Sequence, residues 1–426
     1  MPRAIARLSS TQAAIARHRR NKRSFETTAS SQSRRGLDWM NFFIADVQEG
    51  FGSFIAFYLA NLKWSEELVG LVLTIGRIAS AVALIPGGAL TDAVRWKRAL
   101  VATGIIMIAA AALIFALHPT FMFVLFAEIL HGASAGIMTP AIAAISLGIV
   151  GRRAMSCRIG RNHRFDAAGN ALTAGIMGAL GSYVGKSTIF LAAAGLTAPA
   201  LVALSFVRKD EIDYDRARNA GKDQENRPRG LMELVKNRQL VWFTCGTALF
   251  QLADASMLPL AVENIGRTNS TQSSLMTSAL IVAPQIVAAL LAPWIGYFSE
   301  LWGRKPLLLV SFGVQIARAV MFVFVSSSAL LIAVQLLDGI SGAIRTVLTT
   351  VIVADLTTGT GRFNLARGAV GLAVAIAASI STTLFGFIAQ GMGHWVAFLS
   401  MATVAGVGGL VVWFLLNESK PANYID

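Results

Sequence analysis

Charge is scarce in this sequence. Only 14% of its 426 residues are Asp, Glu, Lys or Arg, against about 25% in an ordinary soluble domain. With 55% hydrophobic residues and a mean hydropathy of +0.60, that shortage excludes a disordered chain, a coiled coil and a soluble globule. Cysteine is almost absent. The two present, Cys157 and Cys245, stand far apart, one in a basic stretch and one in an apolar run. They suggest neither a disulfide framework nor a metal site. No Gly-x-x-x-x-Gly-Lys-Ser/Thr stretch occurs, so the phosphate loop of a nucleotide-driven pump is missing. The short alternating strands of a membrane barrel are missing too. Residues 1–36 are rich in Arg and Ser but have no apolar core ahead of a cleavage site. They read as a tail rather than a secretory signal.

What the sequence has in abundance is apolar runs of about 20 residues, the length that crosses a bilayer as a helix. Twelve spans are predicted, near residues 37–60, 68–90, 99–117, 121–150, 167–183, 189–207, 240–262, 275–298, 307–325, 330–353, 369–390 and 395–416. The fold class is an all-α membrane protein of two six-helix pseudo-repeats. The expected organisation is a basic cytoplasmic tail (1–36), a six-helix bundle (37–207), a cytoplasmic linker (208–238), a second six-helix bundle (239–416) and a cytoplasmic tail (417–426).

The net charge of +14 would suggest nucleic acid in a soluble protein. Its distribution says otherwise. About 31 of the 37 Lys and Arg residues fall in the tails, the linker and the loops of one side, as the positive-inside rule requires. Both termini are therefore expected in the cytoplasm, with the chain in the inner (cytoplasmic) membrane. The expected partners are the lipid bilayer and a small-molecule substrate, without nucleic acid, and the chain is read as a monomer.

A shift of about 208 positions aligns polar landmarks of the two halves. Ala45-Asp46 falls on Ala253-Asp254, and Gly88-x-Leu90-x-Asp92 on Gly296-x-Phe298-x-Glu300. With a slip of one, His131-Gly132 falls on Asp338-Gly339, and Arg164-Phe165-Asp166 resembles Arg362-Phe363-Asn364. Six-span halves related in this way are common in transporters, which bind substrate between the halves.

The loop after the second span reads Gly88-Ala-Leu90-Thr-Asp92-Ala-Val-Arg95-Trp-Lys97-Arg98, and the loop after the eighth reads Gly296-Tyr-Phe298-Ser-Glu300-Leu-Trp-Gly303-Arg304-Lys305. Both resemble the Gly-x-Leu-x-Asp-Arg-x-Gly-Arg-Lys signature of the major facilitator superfamily. The second copy follows it from Gly303 to Lys305. The first departs, with Ala93, Arg95 and Trp96 at the Arg, Gly and Arg positions. The resemblance implies the twelve-helix major facilitator fold, with spans one, four, seven and ten around a central cavity. It also implies a cytoplasmic gating role for Gly88, Asp92, Lys97 and Arg98 and for Gly296, Glu300, Gly303, Arg304 and Lys305. The glycine permits close helix approach, and an acid beside basic residues at a helix end can latch one conformation.

Charges inside spans cost at least about 2.5–3.5 kcal/mol at mid-helix, so each asks for a function or a partner. The candidates for proton coupling or the substrate cavity are Asp46 and Glu49 in span one, Arg77 in span two, Glu128 and His131 in span four, Asp254 in span seven and Asp338 in span ten. By depth, Glu49, Arg77 and His131 fall at one level. Arg318 in span nine matches the depth of Asp338, as a structural ion pair would. Where many exporters of the superfamily carry Arg-x-x-Gln-Gly in span four, this chain has Glu128-Ile-Leu-His131-Gly132. Glu128-x-x-His131 also resembles half of a di-iron ligand set. Its repeat partner is Gln335-x-x-Asp338, so no metal site is expected.

No nucleophile–base set or cofactor motif accompanies these residues, so no enzyme is expected. The reading is a secondary active transporter without a cofactor, driven by the proton gradient and exporting small organic compounds by antiport. The alternative is proton-coupled uptake of an organic anion or other small solute by symport. A membrane-embedded enzyme or a channel is the remote one.

Overall fold

The computed structural model describes residues 29–49, 55–56, 58–59, 61–185, 187–220, 234, 236–266, 274–325 and 327–420. Most of the basic tail, linker residues 221–233 and the side chains of Asp46 and Glu49 lie outside the described residues. The long helices are α1 (Ser31–Glu49), α2 (Glu66–Ala93), α3 (Lys97–Leu117), α4 (Phe121–Val150), α5 (Met155–Tyr183) and α6 (Thr188–Ser205) in the first half. In the second half α7 comes in two pieces, Arg238–Asp254 and Met257–Gly266. It is followed by α8 (Ser274–Trp302), α9 (Arg304–Val323), α10 (Ser328–Leu356), α11 (Phe363–Met392) and α12 (His394–Leu415).

Among the described residues ten helices are long and apolar enough to cross a membrane; α1 and α5 fall short. Hydropathy starts the fifth span near residue 167, but the helix begins at Met155. Its first turns hold Arg158, buried, and Arg161, half exposed, which share one acid. Asp38 of α1 accepts from Arg158 Nη2 at 2.5 Å and from Arg161 Nη2 at 2.6 Å. Asn162 accepts from Arg158 Nε at 2.6 Å and donates to Ser146 Oγ at 2.8 Å. A hydropathy window sees the arginines and not their partners.

Helix packing repeats from one half to the other. In the first half α2 packs on α4, α1 on α5 and α6, and α3 on α4 and α6. In the second half α8 packs on α10, α7 on α11 and α12, and α9 on α10 and α12. The halves meet chiefly through two crossings, α2 with α11 and α5 with α8, with lesser contacts of α5 on α10 and α4 on α11.

Glycine makes both crossings close. A Cβ on Gly160 would lie 2.4 Å from the Ala292 carbonyl oxygen, and one on Gly368 2.2 Å from that of Leu84. These two contacts are copies of each other at the 208-position shift. Gly88 against Asn364 and Gly296 against Ser156 form a second such pair. Within the halves, Gly132 against Gly76 repeats as Gly339 against Pro284. The contacts also correct one sequence landmark. Asn364 corresponds to Ser156, not to Asp166, because helix crossings and not local charge patterns fix the register.

Aromatic stacks fill the cores: Tyr58, Phe115 and Phe190 in the first half, and Phe250 with Phe312 and Phe322 with Phe398 in the second. Gly160→Val and Gly368→Val should each cost about 1–3 kcal/mol through overpacking and lower the thermal unfolding midpoint. Gly70→Ala, with nothing within 4 Å, should not. Unchanged midpoints in both valine variants would show that the halves do not meet there.

Candidate functional site

The two crossings lie at the end of the molecule that carries the described parts of the linker and of the C-terminal segment. At the first, Asp92 in the last turn of α2 is 3% exposed and reaches across to the start of α11. Its Oδ1 accepts from Asn364 Nδ2 at 2.7 Å and from the Asn364 amide at 3.2 Å. Its Oδ2 accepts from the Leu365 amide at 2.9 Å. The first amides of a helix have no partner within it, so a carboxylate there gains both hydrogen bonds and the helix dipole. Asp92 is an N-terminal cap supplied by the other half.

At the second crossing Glu300 accepts from Ser156 Oγ at the start of α5 and from Arg304 Nη2 at 2.8 Å. Arg304 is 1% exposed. It also donates to Asp355 Oδ2 at 3.1 Å and to the Ser299 carbonyl at 2.7 Å, and Arg152 of the other half lies 3.7 Å from Asp355. Gly303 takes φ +98°, a conformation that suits glycine. The Glu418 carboxylate sits where its Cβ would be and accepts from the Arg304 and Lys305 amides at 2.8 and 3.1 Å. Lys305 Nζ donates to the Trp413 carbonyl at 2.7 Å.

The two acids therefore do related work differently. Glu300 has its guanidinium partner four residues on. Asp92 has Trp96 at that position, and it binds Asn364 and Leu365 instead. Lys97 turns to backbone, donating to the carbonyls of Thr91 at 2.6 Å and Val94 at 3.0 Å. Arg98 lies near the Ser205 carbonyl at 3.5 Å, at the edge of hydrogen-bonding range.

The described part of the linker joins this face. Tyr214 Oη lies 3.1 Å from the carbonyls of both Asp92 and Ala93, and Arg95, Lys97 and Arg218 sit over its ring at 5.2, 4.9 and 4.8 Å. Asn219 donates to the Ala354 carbonyl at 2.6 Å, and its own carbonyl accepts from the Gly359 amide at 2.9 Å. Glu211 holds the start of α1 through Ser30, whose amide and hydroxyl donate at 3.0 Å. Slight burial pushes the Glu211 carboxyl up, but hydrogen bonds from Ser30 and Ser33 and the Arg208 charge outweigh it and hold the group below the usual glutamate value.

Deeper in the membrane, α9 brings Arg318 to two acids. Its Nη1 lies 2.7 Å from both Asp254 Oδ1 and Asp338 Oδ1. Nη2 donates to Gln335 Oε1 at 3.0 Å, and Gln335 Nε2 lies 3.3 Å from Asp338 Oδ2. In the first half, Glu128 is buried in the seam between α2 and α4. One of its oxygens lies against Gly76 and the other has no hydrogen-bond partner, while the Arg77 charge acts on it. His131 is half-buried one turn along. The structure thus brings Glu128 within electrostatic range of Arg77, and the Glu49 side chain lies outside the described residues.

A model of the Major Facilitator Superfamily matches residues 37–268 and 248–425. The chain belongs to the major facilitator superfamily. Two uncharacterised MFS-type transporters of Mycobacterium tuberculosis, from the strains CDC 1551 / Oshkosh and ATCC 25618 / H37Rv, are 37% identical to it over 389 residues. The match spans 90% of this chain and 93% of each of theirs. Among solved structures, FucP, a transporter of this superfamily in the outward conformation, superposes with a TM-score of 0.68 at 13% identity. That superposition spans 89% of this chain and 98% of FucP. A superfamily member of this kind is a secondary transporter and not an enzyme.

Several residues of the site went unnoticed in the sequence. Asp38 has a legible signal, an acid near a span end facing two arginines three apart. Glu418 has none, because its partners are backbone amides. Replacing Asp92 by Ala removes three cross-half bonds, each charge-assisted bond being worth about 1.5–3 kcal/mol. A cysteine at Leu365, now 2% exposed, should be alkylated at least tenfold faster in Asp92→Ala than with Asp92 intact, in a background lacking Cys157 and Cys245. Equal rates would remove the cap from the closure of this face.

Proposed function

We propose that this chain exports small organic compounds across the inner membrane by proton-coupled antiport, through alternating access between its halves. The carrying observation is the stoichiometry around Arg318: two carboxylates share one guanidinium nitrogen. Their side chains keep 17% and 28% exposure while the arginine keeps 2%, so the acids keep surface through which a proton can reach them. One positive charge cannot neutralise two negative ones, and a proton joining the triad restores the balance. Breaking a buried ion pair costs about 3–5 kcal/mol, enough to bias two conformations strongly. Glu128, with one bare oxygen beside the Arg77 charge, is the corresponding group of the first half.

The closed basic face is read as cytoplasmic, with both termini inside, because Lys and Arg crowd it. The likeness to FucP in its outward conformation supports reading the crossings at this face as the shut cytoplasmic gate. Export rests on the excess of exporters in the superfamily and on the glycine-rich α5.

The test is paired. A substrate is first identified by growth of a deletion strain on a panel of toxic compounds. In proteoliposomes, Asp338→Asn, Asp254→Asn and Glu128→Gln are then compared for gradient-driven flux and for counterflow. Loss of gradient-driven flux with retained counterflow in at least one aspartate variant is expected, since exchange needs no net proton movement. Full gradient-driven flux in all three variants would refute proton coupling at these groups.

A further inference from the structure

Among the described residues, two arginines of the second half have no acid at ion-pair distance. Arg345 lies in α10 two turns beyond Asp338, and Arg367 in the second turn of α11. Among the described residues neither guanidinium makes a hydrogen bond or an ion pair, and the Nε of each is buried without a partner. Arg345 sits over the Phe250 ring of α7 at 5.5 Å and feels the charge of Asp338 at longer range. For Arg367 the neighbouring charge is Arg345 itself. Arg345 and Arg367 are half-buried, whereas the fully buried arginines of the helices have acids: Arg158 has Asp38, Arg304 has Glu300 and Asp355, and Arg318 has Asp254 and Asp338.

Two like charges within electrostatic range of each other repel, and among the described residues no acid lies at ion-pair distance from either, Asp338 acting on Arg345 only at longer range. A guanidinium presents a planar fork that fits the oxygens of a carboxylate or phosphate. The Phe250 ring adds an apolar face beside the charge, suited to the carbon skeleton of an organic ion. We infer that Arg345 and Arg367 form an anion site between α7, α10 and α11, and that the transported compound is a small organic anion bound there through its carboxylate or phosphate group. This deepens the transporter reading and rests on it. The site lies along α10 from the Asp254–Arg318–Asp338 triad, about 10 Å from Asp338 at 1.5 Å per residue, so the proton and the anion would occupy separate places in one half.

The full-length chain, purified in detergent, is titrated with benzoate and with phenyl phosphate, with benzamide as the neutral analogue, and its thermal midpoint is followed. At least one of the two anions should stabilise it saturably, and benzamide should not. Arg345→Gln and Arg367→Gln should each raise the half-saturating concentration at least tenfold. If a glutamine variant does not fold, Arg345→Lys and Arg367→Lys keep the charge but lose the fork, and should still weaken binding severalfold. Anion binding undiminished in these variants overturns the site, and so does a wild-type chain that neither anion stabilises. No proton gradient enters this titration. Failure of proton coupling would leave its result standing, and failure of the anion site would leave the flux comparison standing.

Discussion

One carboxylate caps a helix that belongs to the other half of the molecule. The first amides of α11 need acceptors, and Asp92 at the end of α2 supplies them. Each half is therefore incomplete at this face without the other. The cap is also breakable, since hydrogen bonds to a surface-proximal helix end can be handed to water when the halves part. A transporter needs a contact of this kind: specific enough to define a closed state and replaceable enough to leave it. Around the cap the linker is folded into the same face, with Tyr214 against the end of α2 and Asn219 against the end of α10, so the linker is part of the closure and more than a tether.

The second crossing meets the same need with different chemistry. Glu300 binds the second residue of α5, as Asp92 binds the second residue of α11. But Glu300 also holds Arg304, which in turn holds Asp355. The loss of the signature arginine at Trp96 makes the first crossing the simpler of the two, a carboxylate on amides without a guanidinium. By this argument the α2–α11 side depends on fewer and more local bonds than the α5–α8 side, where a buried arginine and three acids are interlocked.

The halves, their spans and the pseudo-repeat were legible in the sequence because apolar length and rare charges are local signals. The α5 start was not, because Arg158 and Arg161 look like loop residues until Asp38 is seen beside them. Arg367, a basic residue ahead of an apolar run, lies outside the span that hydropathy marks, whereas the structure places it inside α11. Depth along spans correctly suggested that Arg318 and Asp338 share a level, but it could not show Asp254 on the same guanidinium, because that depends on how α7 and α9 face each other. Nor could it show that Glu128 turns into the α2–α4 seam, which is set by Gly76 leaving room for the carboxylate.

The proposed coupling joins two places: acids in the membrane that would take up a proton, and a basic face whose caps close one side. In that proposal the first governs the second. Spin labels at Trp96 and Trp302, exposed at the closed face in the two halves, and at Leu62 and Trp395 at the opposite face, report both gates by pulsed electron resonance in bilayers. Across an acid-to-alkaline series the two distances should change in opposite directions, and in an Asp254→Asn, Asp338→Asn double variant they should cease to depend on pH. Distances at the closed face that ignore pH in the wild-type chain, or that move together with those of the opposite face, would contradict it.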